Sequence, residues 1–263
     1  MLITRMAYPQ GDQIELTIIA PAHNEEDNVG PLVAEIDAAL AVLPLRYEII
    51  IVDDGSTDGT PERLRLLTAQ HLSLRIIRMT NTPPGKGNGQ SAAFYAGLRA
   101  ARGPLVALLD ADLQNDPADL PRLLEVMRTT GADVVQGDRS ANRRDSLGRR
   151  IASWVGRTFR KLLLGDTIRD TGCSLRLMRR EVALKIPLEF RGMHRFIPVT
   201  ARQLGYTVVE TPVSHRPRIA GQAKYGVFNR AIPGLVDCLA VRWMRRRRRP
   251  TRASEIERDR GEN

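Results

Sequence analysis

The segment Asp110-Ala111-Asp112-Leu113-Gln114 sets two carboxylates and an amide at alternate positions, directly after the apolar run Leu105 to Leu109. In an extended segment, residues two apart point the same way at roughly 7 Å spacing. Asp110, Asp112 and Gln114 are therefore expected to present oxygens to one side. A few hard oxygen donors suit Mg2+ or Mn2+, with water and substrate phosphates completing the shell. Such a cation acts as a Lewis acid on a departing diphosphate. Two further polar clusters follow apolar runs, Pro21-Ala22-His23-Asn24-Glu25-Glu26 and Asp53-Asp54-Gly55-Ser56. Acidic loops do not cradle phosphate themselves, but they accept hydrogen bonds from base N–H groups and ribose hydroxyls.

Each cluster also has a plainer reading. A D-x-D triplet is common by chance, Asp53-Asp54-Gly55-Ser56 fits a turn with a helix cap, and Asn24-Glu25-Glu26 fits a first helical turn, where acidic side chains suit the dipole. Their shared position argues for a shared site, because the crevice of an open parallel sheet lies outside the carboxyl ends of its strands. The loops carry neither the G-x-G-x-x-G of a dinucleotide site nor a Gly-rich run ending in Lys-Ser or Lys-Thr.

The elements that must position these loops are legible as alternating short and long periods. Leu16 to Ala20, Glu48 to Val52, Leu74 to Arg78, Leu105 to Leu109 and Asp133 to Gly137 read as strands. Val29 to Leu43, Thr60 to Gln70, Gln90 to Arg102 and Pro117 to Thr130 carry apolar residues at helical spacing. A βαβ series of this kind implies an α/β fold of three layers around a mainly parallel sheet. Thr57 or Asp58 is placed to cap the second helix, and Asn115 or Asp116 the helix that Pro117 opens. Beyond residue 138 come a basic stretch, Arg139 to Arg150, a helix-like segment, Ile151 to Leu164, and a turn at Asp170-Thr171-Gly172. Val227 to Met244 reads as an amphipathic helix, with Val227, Ile232, Leu235, Val236, Leu239, Ala240 and Trp243 on one side, and runs into Arg245 to Arg249.

At 263 residues and 42% hydrophobic content the chain can bury a full core. The expected organisation is an N-terminal extension (1–13), a catalytic domain (14–226), an amphipathic helix with a polybasic segment (227–249) and a disordered tail (250–263). Cys173 and Cys238 have neither disulfide-framework nor zinc-site spacing. Met1 to Gln13 lacks a signal-peptide pattern, and no window of about 18 uncharged apolar residues occurs. A cytoplasmic protein is expected. Five of the +10 formal charges come from Arg245 to Arg249, so the basic balance is partly local and does not call for nucleic acid; no aromatic-rich basic module accompanies it.

These motifs resemble family 2 glycosyltransferases of the GT-A fold, and within them the dolichyl-phosphate mannosyltransferase and undecaprenyl-phosphate sugar transferase group. The resemblance rests on Ile19 to Asn28, Ile51 to Asp58 and Leu109 to Gln114, followed by Gly137-Asp138-Arg139, Asp170 to Arg176 and Arg218 to Lys224. It implies an inverting transfer from a UDP- or GDP-sugar to a polyprenyl phosphate. Pro21, His23, Asn24, Glu25, Asp53, Asp54 and Asp110 would hold the nucleotide. Asp110, Asp112 and Gln114 would hold Mg2+ or Mn2+, with Asp112, Arg139 and Arg218 closest to the chemistry. Arg139, Arg150, Ser153, Arg218 and Lys224 would bind phosphate through charge-assisted hydrogen bonds. Two departures stand out: Ala223 replaces a serine common before the lysine, and Gly85-Lys86-Gly87-Asn88-Gly89 expands a shorter turn. His194 is read as packing and Cys173 as a small buried residue.

Relatives in that group often continue into membrane-spanning helices. Here the helix and Arg245 to Arg249 suggest peripheral attachment to an anionic membrane surface at the cytoplasmic face. The competing readings are a family 2 transferase for another acceptor and a non-catalytic nucleotide-sugar-binding protein; intact Asn24, Asp53, Asp110 and Asp112 weigh against the latter. A nucleotidyltransferase would carry a Gly-rich basic loop after the first strand, where Pro21 to Asn28 stands.

Overall fold

The computed structural model describes residues 13–83, 86–140, 147–216 and 228–249, with side chains 147–155 and 228–232 outside the description. The first half alternates β1 (Leu16–Ala22), α1 (Glu26–Leu40), β2 (Tyr47–Asp53), α2 (Thr60–Thr68), β3 (Leu74–Arg78), α3 (Gln90–Ala100) and β4 (Leu105–Leu108). A 3-10 turn, Pro117–Asp119, then leads into α4 (Leu120–Thr130), β5 (Val134–Asp138) and α5 (Leu147–Leu164). The rest comprises β6 (Arg176–Arg179), α6 (Arg180–Ala183), a 3-10 turn at Met193–Phe196, α7 (Ile197–Gln203), β7 (Val208–Pro212) and α8 (Phe228–Arg247).

The strands form one seven-stranded sheet in the order β3-β2-β1-β4-β6-β5-β7. All pairings are parallel except those of β6, which runs against both β4 and β5. The five strands read from the sequence are present, β3 with the bounds expected and the others with ends shifted by one or two residues; β6 and β7 were not foreseen. β6 is four residues long and bears a buried arginine, Arg176, so it lacks an apolar signature.

Period-two alternation sorts the core onto the two faces of the sheet. Ile18, Ala20, Ile49 and Ile51 join one cluster with Leu32 and Ile36 of α1, Leu64 of α2 and Leu123 of α4. Ile19, Ile50 and Val52 join the other with Phe94 and Leu98 of α3, Val182 of α6, Ile197 of α7, and Cys238 and Val241 of α8. Each such aliphatic side chain, fully buried, contributes about 1.5–3 kcal/mol.

Helix ends follow the expected chemistry with one choice settled each time. Asp58, not Thr57, serves α2, its Oδ1 accepting from Thr60 N–H at 3.0 Å. Asp116, not Asn115, accepts from Ala118 N–H at 2.9 Å. α5 begins at Leu147, absorbing the last turn of the basic stretch.

α8 packs on the sheet domain through Cys238 and Val241, while Leu235, Val236, Leu239 and Trp243 lie exposed on its other side. Its basic residues also serve the fold. Arg242 Nη1 donates to Leu163 C=O at 2.8 Å and Arg245 Nη1 to Leu164 C=O at 3.3 Å. They satisfy carbonyls at the C-terminus of α5, where the dipole favours cations. Among the described residues, no helix is long and apolar enough to cross a membrane.

The register that matters for the site is that of α3 on the sheet. At Gly97 an added Cβ would lie 2.4 Å from Ile19 Cγ2 and 3.1 Å from Val52 Cγ2, so the helix sits on β1 and β2 more closely than any larger residue allows. Gly97→Val is expected to cost about 1–3 kcal/mol through overpacking and to lower the thermal midpoint by several degrees; an unchanged melting curve would show that the close approach is unimportant.

Candidate active site

The strand order turns back at β1, with β2 and β3 on one side and β4 on the other. That reversal opens a crevice outside the carboxyl ends of β1 and β4, and the acidic loops surround it.

The loop after β1 is tied to the loop after β2. His23 Nδ1 lies 2.7 Å from Asp54 C=O; a carbonyl only accepts, so Nδ1 carries the proton. Asn24, at φ 57°, donates its N–H to Ser56 Oγ at 3.0 Å and accepts from Thr57 N–H at 2.8 Å. Glu25 N–H donates to Thr60 Oγ1 at 2.8 Å, and its carboxylate accepts from Asn28 Nδ2 at 2.6 Å. Pro21 lies within β1 opposite Val52. His23, Asn24 and Glu25 thus build the rim of the crevice, each with a contact to the neighbouring loop or helix.

The two aspartates after β2 divide their work. Asp53 is buried; its Oδ1 accepts from Ser56 N–H at 2.9 Å. Its Oδ2 has no hydrogen-bond partner, and Arg78 Nε stands 3.9 Å away. Asp54 instead holds the glycine-rich loop before α3: it accepts from Asn88 N–H at 2.9 Å, Gly89 N–H at 2.7 Å and Thr82 Oγ1 at 3.3 Å. A Cβ on Gly87 would meet Asp54 Oδ2 at 2.4 Å.

The third loop differs from the extended segment expected of it. Residues 111–113 form a turn, with Leu113 at φ 60°. Ala111 and Leu113 are buried in the core, which leaves Asp110 and Asp112 on the crevice side. Asp112 Oδ1 accepts from Gln114 N–H at 3.2 Å. Asp110 is held by the side chain of Gln90, whose Nε2 donates to Oδ1, and by Ser174. Ser174 in turn accepts from Asn115 Nδ2 at 2.8 Å.

Burial, then the adjacent Asp112 charge, push Asp110 up to about 6, against the Ser174 hydrogen bond and the positive Arg139 and Arg176. Neighbouring carboxylates with unrelieved repulsion and hard oxygen donors fit a divalent cation. No group of three or more His, Cys, Asp or Glu residues suited to a metal exists among the described residues. A cation here therefore needs oxygens from Gln114, water or a ligand's phosphates.

Two arginines back the acidic pair. Arg139, after β5, is clamped by Asp170: Nε to Oδ2 at 2.8 Å, Nη2 to Oδ1 at 3.2 Å, and backbone N–H to Oδ2 at 3.2 Å. Burial alone would weaken its charge, but the Asp170 hydrogen bonds more than offset that, so it stays protonated. Arg176 is 1% exposed. It donates to His194 C=O at 2.7 Å and to Cys173 C=O, while Nε has no partner. Burial draws it down to about 10, still charged at neutral pH. His194 has a polar task besides packing: its Nδ1 lies 2.8 Å from Ser91 Oγ, which also accepts its N–H at 3.0 Å. Cys173 is fully buried, as expected, and burial raises its thiol to about 11.

Residues 17–186 match glycosyl transferase family 2. The chain belongs to that family. It is 38% identical over 246 residues to a dodecaprenyl-phosphate galacturonate synthase of Rhizobium johnstonii, covering 90% of this chain and 69% of the relative. An undecaprenyl-phosphate 4-deoxy-4-formamido-L-arabinose transferase of Aeromonas hydrophila is 35% identical over 228 residues, covering 86% and 68%. The fold matches a glucosyl-3-phosphoglycerate synthase from Mycobacterium tuberculosis in complex with Mn2+, UDP and phosphoglyceric acid. That match has a TM-score of 0.66 at 20% identity, over 87% of this chain and 78% of that one.

Not every expected residue of this family 2 enzyme is placed. Arg218, Ala223 and Lys224 lie outside the described residues, and Arg150 and Ser153 fall in α5 where side chains are not described. The chain leading to Arg218 passes the turn that bears Asp112: Arg216 N–H donates to Gln114 C=O at 3.0 Å, and its guanidinium pairs with Asp116 and Glu35 at 2.6 Å each. Gln90, Ser91, Asn115, Ser174 and Arg176 line or brace the site without having been assigned a role in it from the sequence. Only Ser174 and Arg176 carried any signal, through the Asp170 to Arg176 motif that contains them; Asn115 was read only as a helix-cap alternative.

Asp170 is the partner on which Arg139 depends. Asp170→Asn removes one member of a buried ion pair and is expected to cost about 3–5 kcal/mol in chemical denaturation; a loss below about 1 kcal/mol would mean that water replaces the carboxylate.

Proposed function

We propose that this family 2 enzyme transfers a sugar from a UDP-sugar to the phosphate of a polyprenyl phosphate. The carrying observation is the Asp110–Asp112 pair at the strand reversal, with Arg139 behind it. Two relatives above 30% identity are named for dodecaprenyl- and undecaprenyl-phosphate products, which supports the acceptor class. Mn2+ and UDP in the structural neighbour agree with a divalent cation and a uridine nucleotide.

Asp53 favours uridine over guanosine. One of its oxygens is occupied by Ser56 N–H and the other has no partner. A single acceptor suits the one ring N–H of uracil, and Arg78 nearby can donate to an adjacent carbonyl; guanine offers a two-donor edge. His23, Asn24 and Glu25 keep the rim around that base and its ribose. Pro21 and Asp54 act on the nucleotide through the backbone and loop they shape.

Asp110, Asp112 and Gln114 would hold Mg2+ or Mn2+, which when bound neutralises the leaving diphosphate. The acceptor is already an anion at neutral pH, so its phosphate oxygen attacks the anomeric carbon without a general base. The new C–O bond forms on the face opposite the departing diphosphate and the configuration inverts. Arg139, fixed by Asp170, aims its charge at the phosphates. Arg218, Arg150, Ser153 and Lys224 are assigned to the acceptor phosphate on the family resemblance.

In assays with UDP- and GDP-sugars, Mg2+ or Mn2+, and a short polyprenyl phosphate, transfer is expected from UDP donors only. Asp112→Ala should lower it on the order of 100-fold or more, since the cation contributes several kcal/mol. Transfer that survives this substitution unchanged refutes the mechanism.

Peripheral attachment to the cytoplasmic face of a membrane completes the reading, because a polyprenyl chain is met at a bilayer. The exposed stripe Leu235, Val236, Leu239 and Trp243 and the arginines after it are its support. Arg245 is engaged with α5, so the cluster left for anionic headgroups is Arg246 to Arg249. Replacing those four by glutamine should weaken binding to phosphatidylserine-containing vesicles by about 1 kcal/mol per charge, with the effect shrinking at high salt. Equal binding by wild type and variant would exclude this surface.

A further inference from the structure

Four consecutive residues at the start of α3 reach three different parts of the site. Asn88 and Gly89 give their N–H groups to the Asp54 carboxylate at 2.9 and 2.7 Å. Gln90 donates from Nε2 to Asp110 Oδ1. Ser91 bonds both the ring and the N–H of His194. The expanded glycine segment, unexplained by the sequence, acquires a purpose here. Gly87 lets the backbone come within reach of Asp54, since a Cβ there would lie 2.4 Å from Oδ2, and Gly89, at φ 97°, turns the chain into the helix.

We infer that Gln90 is a positioning residue for the cation site: its amide, with the Ser174 hydroxyl, fixes the orientation in which the Asp110 carboxylate meets the ion. The inference rests on Asp110 being a cation ligand. A neutral donor suits this task. It orients the carboxylate without adding a positive charge that would compete with the ion, as a lysine or arginine would. Partners that orient metal ligands from outside typically carry 10–100-fold in affinity. Because Asp54 holds the loop that ends at Gln90, the strand end at β2 helps to set the ligand geometry at the end of β4.

The test is Mn2+ binding to the full chain with saturating UDP, followed by the electron paramagnetic resonance signal of free ion and read against a blank of UDP and Mn2+ alone. Gln90→Met keeps the length and the helix preference and removes the donor. It should weaken Mn2+ binding by about 10–100-fold, while UDP-sugar turnover recovers to within a few-fold of wild type at saturating Mn2+. Asp54→Asn should weaken Mn2+ in the same direction, and the double variant should fall short of the sum of the two effects. If Gln90→Met does not fold, Gln90→Asn, which keeps an amide one methylene short, is read the same way.

Binding of Mn2+ by the variant within about two-fold of wild type overturns the inference and leaves the cation site standing. Turnover that stays low at saturating Mn2+ also overturns it, since Gln90 would then act on the donor. Failure of the unaltered chain to bind Mn2+ with UDP present removes the cation site itself, and the inference with it.

Discussion

Two carboxylates, Asp110 and Asp112, stand together where the sheet reverses its strand order, and much of the surrounding structure exists to keep them there. Left to themselves, like charges in a partly buried place separate or take up protons; Asp110 is already pushed to about 6. The fold resists the first outcome by burying Ala111 and Leu113 on either side of Asp112. It holds Asp110 from two directions, by Gln90 on α3 and Ser174 ahead of β6. The remaining repulsion is what a divalent ion bearing substrate phosphates would relieve.

That constraint explains the antiparallel strand. β6 is inserted between β4 and β5, the two strands whose ends carry Asp110 and Arg139. Its first residue, Arg176, pairs in register with Leu108 on one side and Gln136 on the other. A parallel strand would have delivered its carboxyl end to the crevice. The antiparallel one delivers its amino end, preceded by the Asp170 to Leu175 turn that supplies the partners of Arg139 and Asp110. Reversing one strand thus places a second kind of loop at the same edge of the sheet.

The parallel half was legible in the sequence because its physics is local. Leu105 to Leu109 or Glu48 to Val52 announces a buried strand by composition, and polar residues directly after such a run lie at the crevice by topology. The antiparallel half was not legible for the converse reason. β6 is four residues, Arg176-Leu177-Met178-Arg179, of which two are arginines, so no apolar run announces it, and the burial of Arg176 is explained by the carbonyls of His194 and Cys173. The extended geometry expected of Asp110 to Gln114 failed similarly. Alternation in sequence is compatible with a strand or a turn, and Leu113 at φ 60° decides for the turn. His194 looked like packing because its partner, Ser91, is 103 residues away.

The net charge also changes meaning once the pairs are known. Arg75 is bound to Glu48, Arg139 to Asp170, Arg160 to Asp166 and Arg216 to Asp116 and Glu35, and Arg242 and Arg245 serve the end of α5. Many of the arginines are therefore internal struts and create little outward field. The charges around the crevice are sorted nonetheless: carboxylates follow β1, β2 and β4, and Arg139, held by Asp170, follows β5. Both substrates of a sugar transfer between phosphates are anions, and the acidic side would repel either one directly. On the proposed reading a diphosphate enters in company with a cation, whereas a monophosphate can be met by arginine alone. The proposed placement of the donor on the aspartate side and of the acceptor on the Arg139 side follows this division of charge and needs no reference to the shape of either molecule.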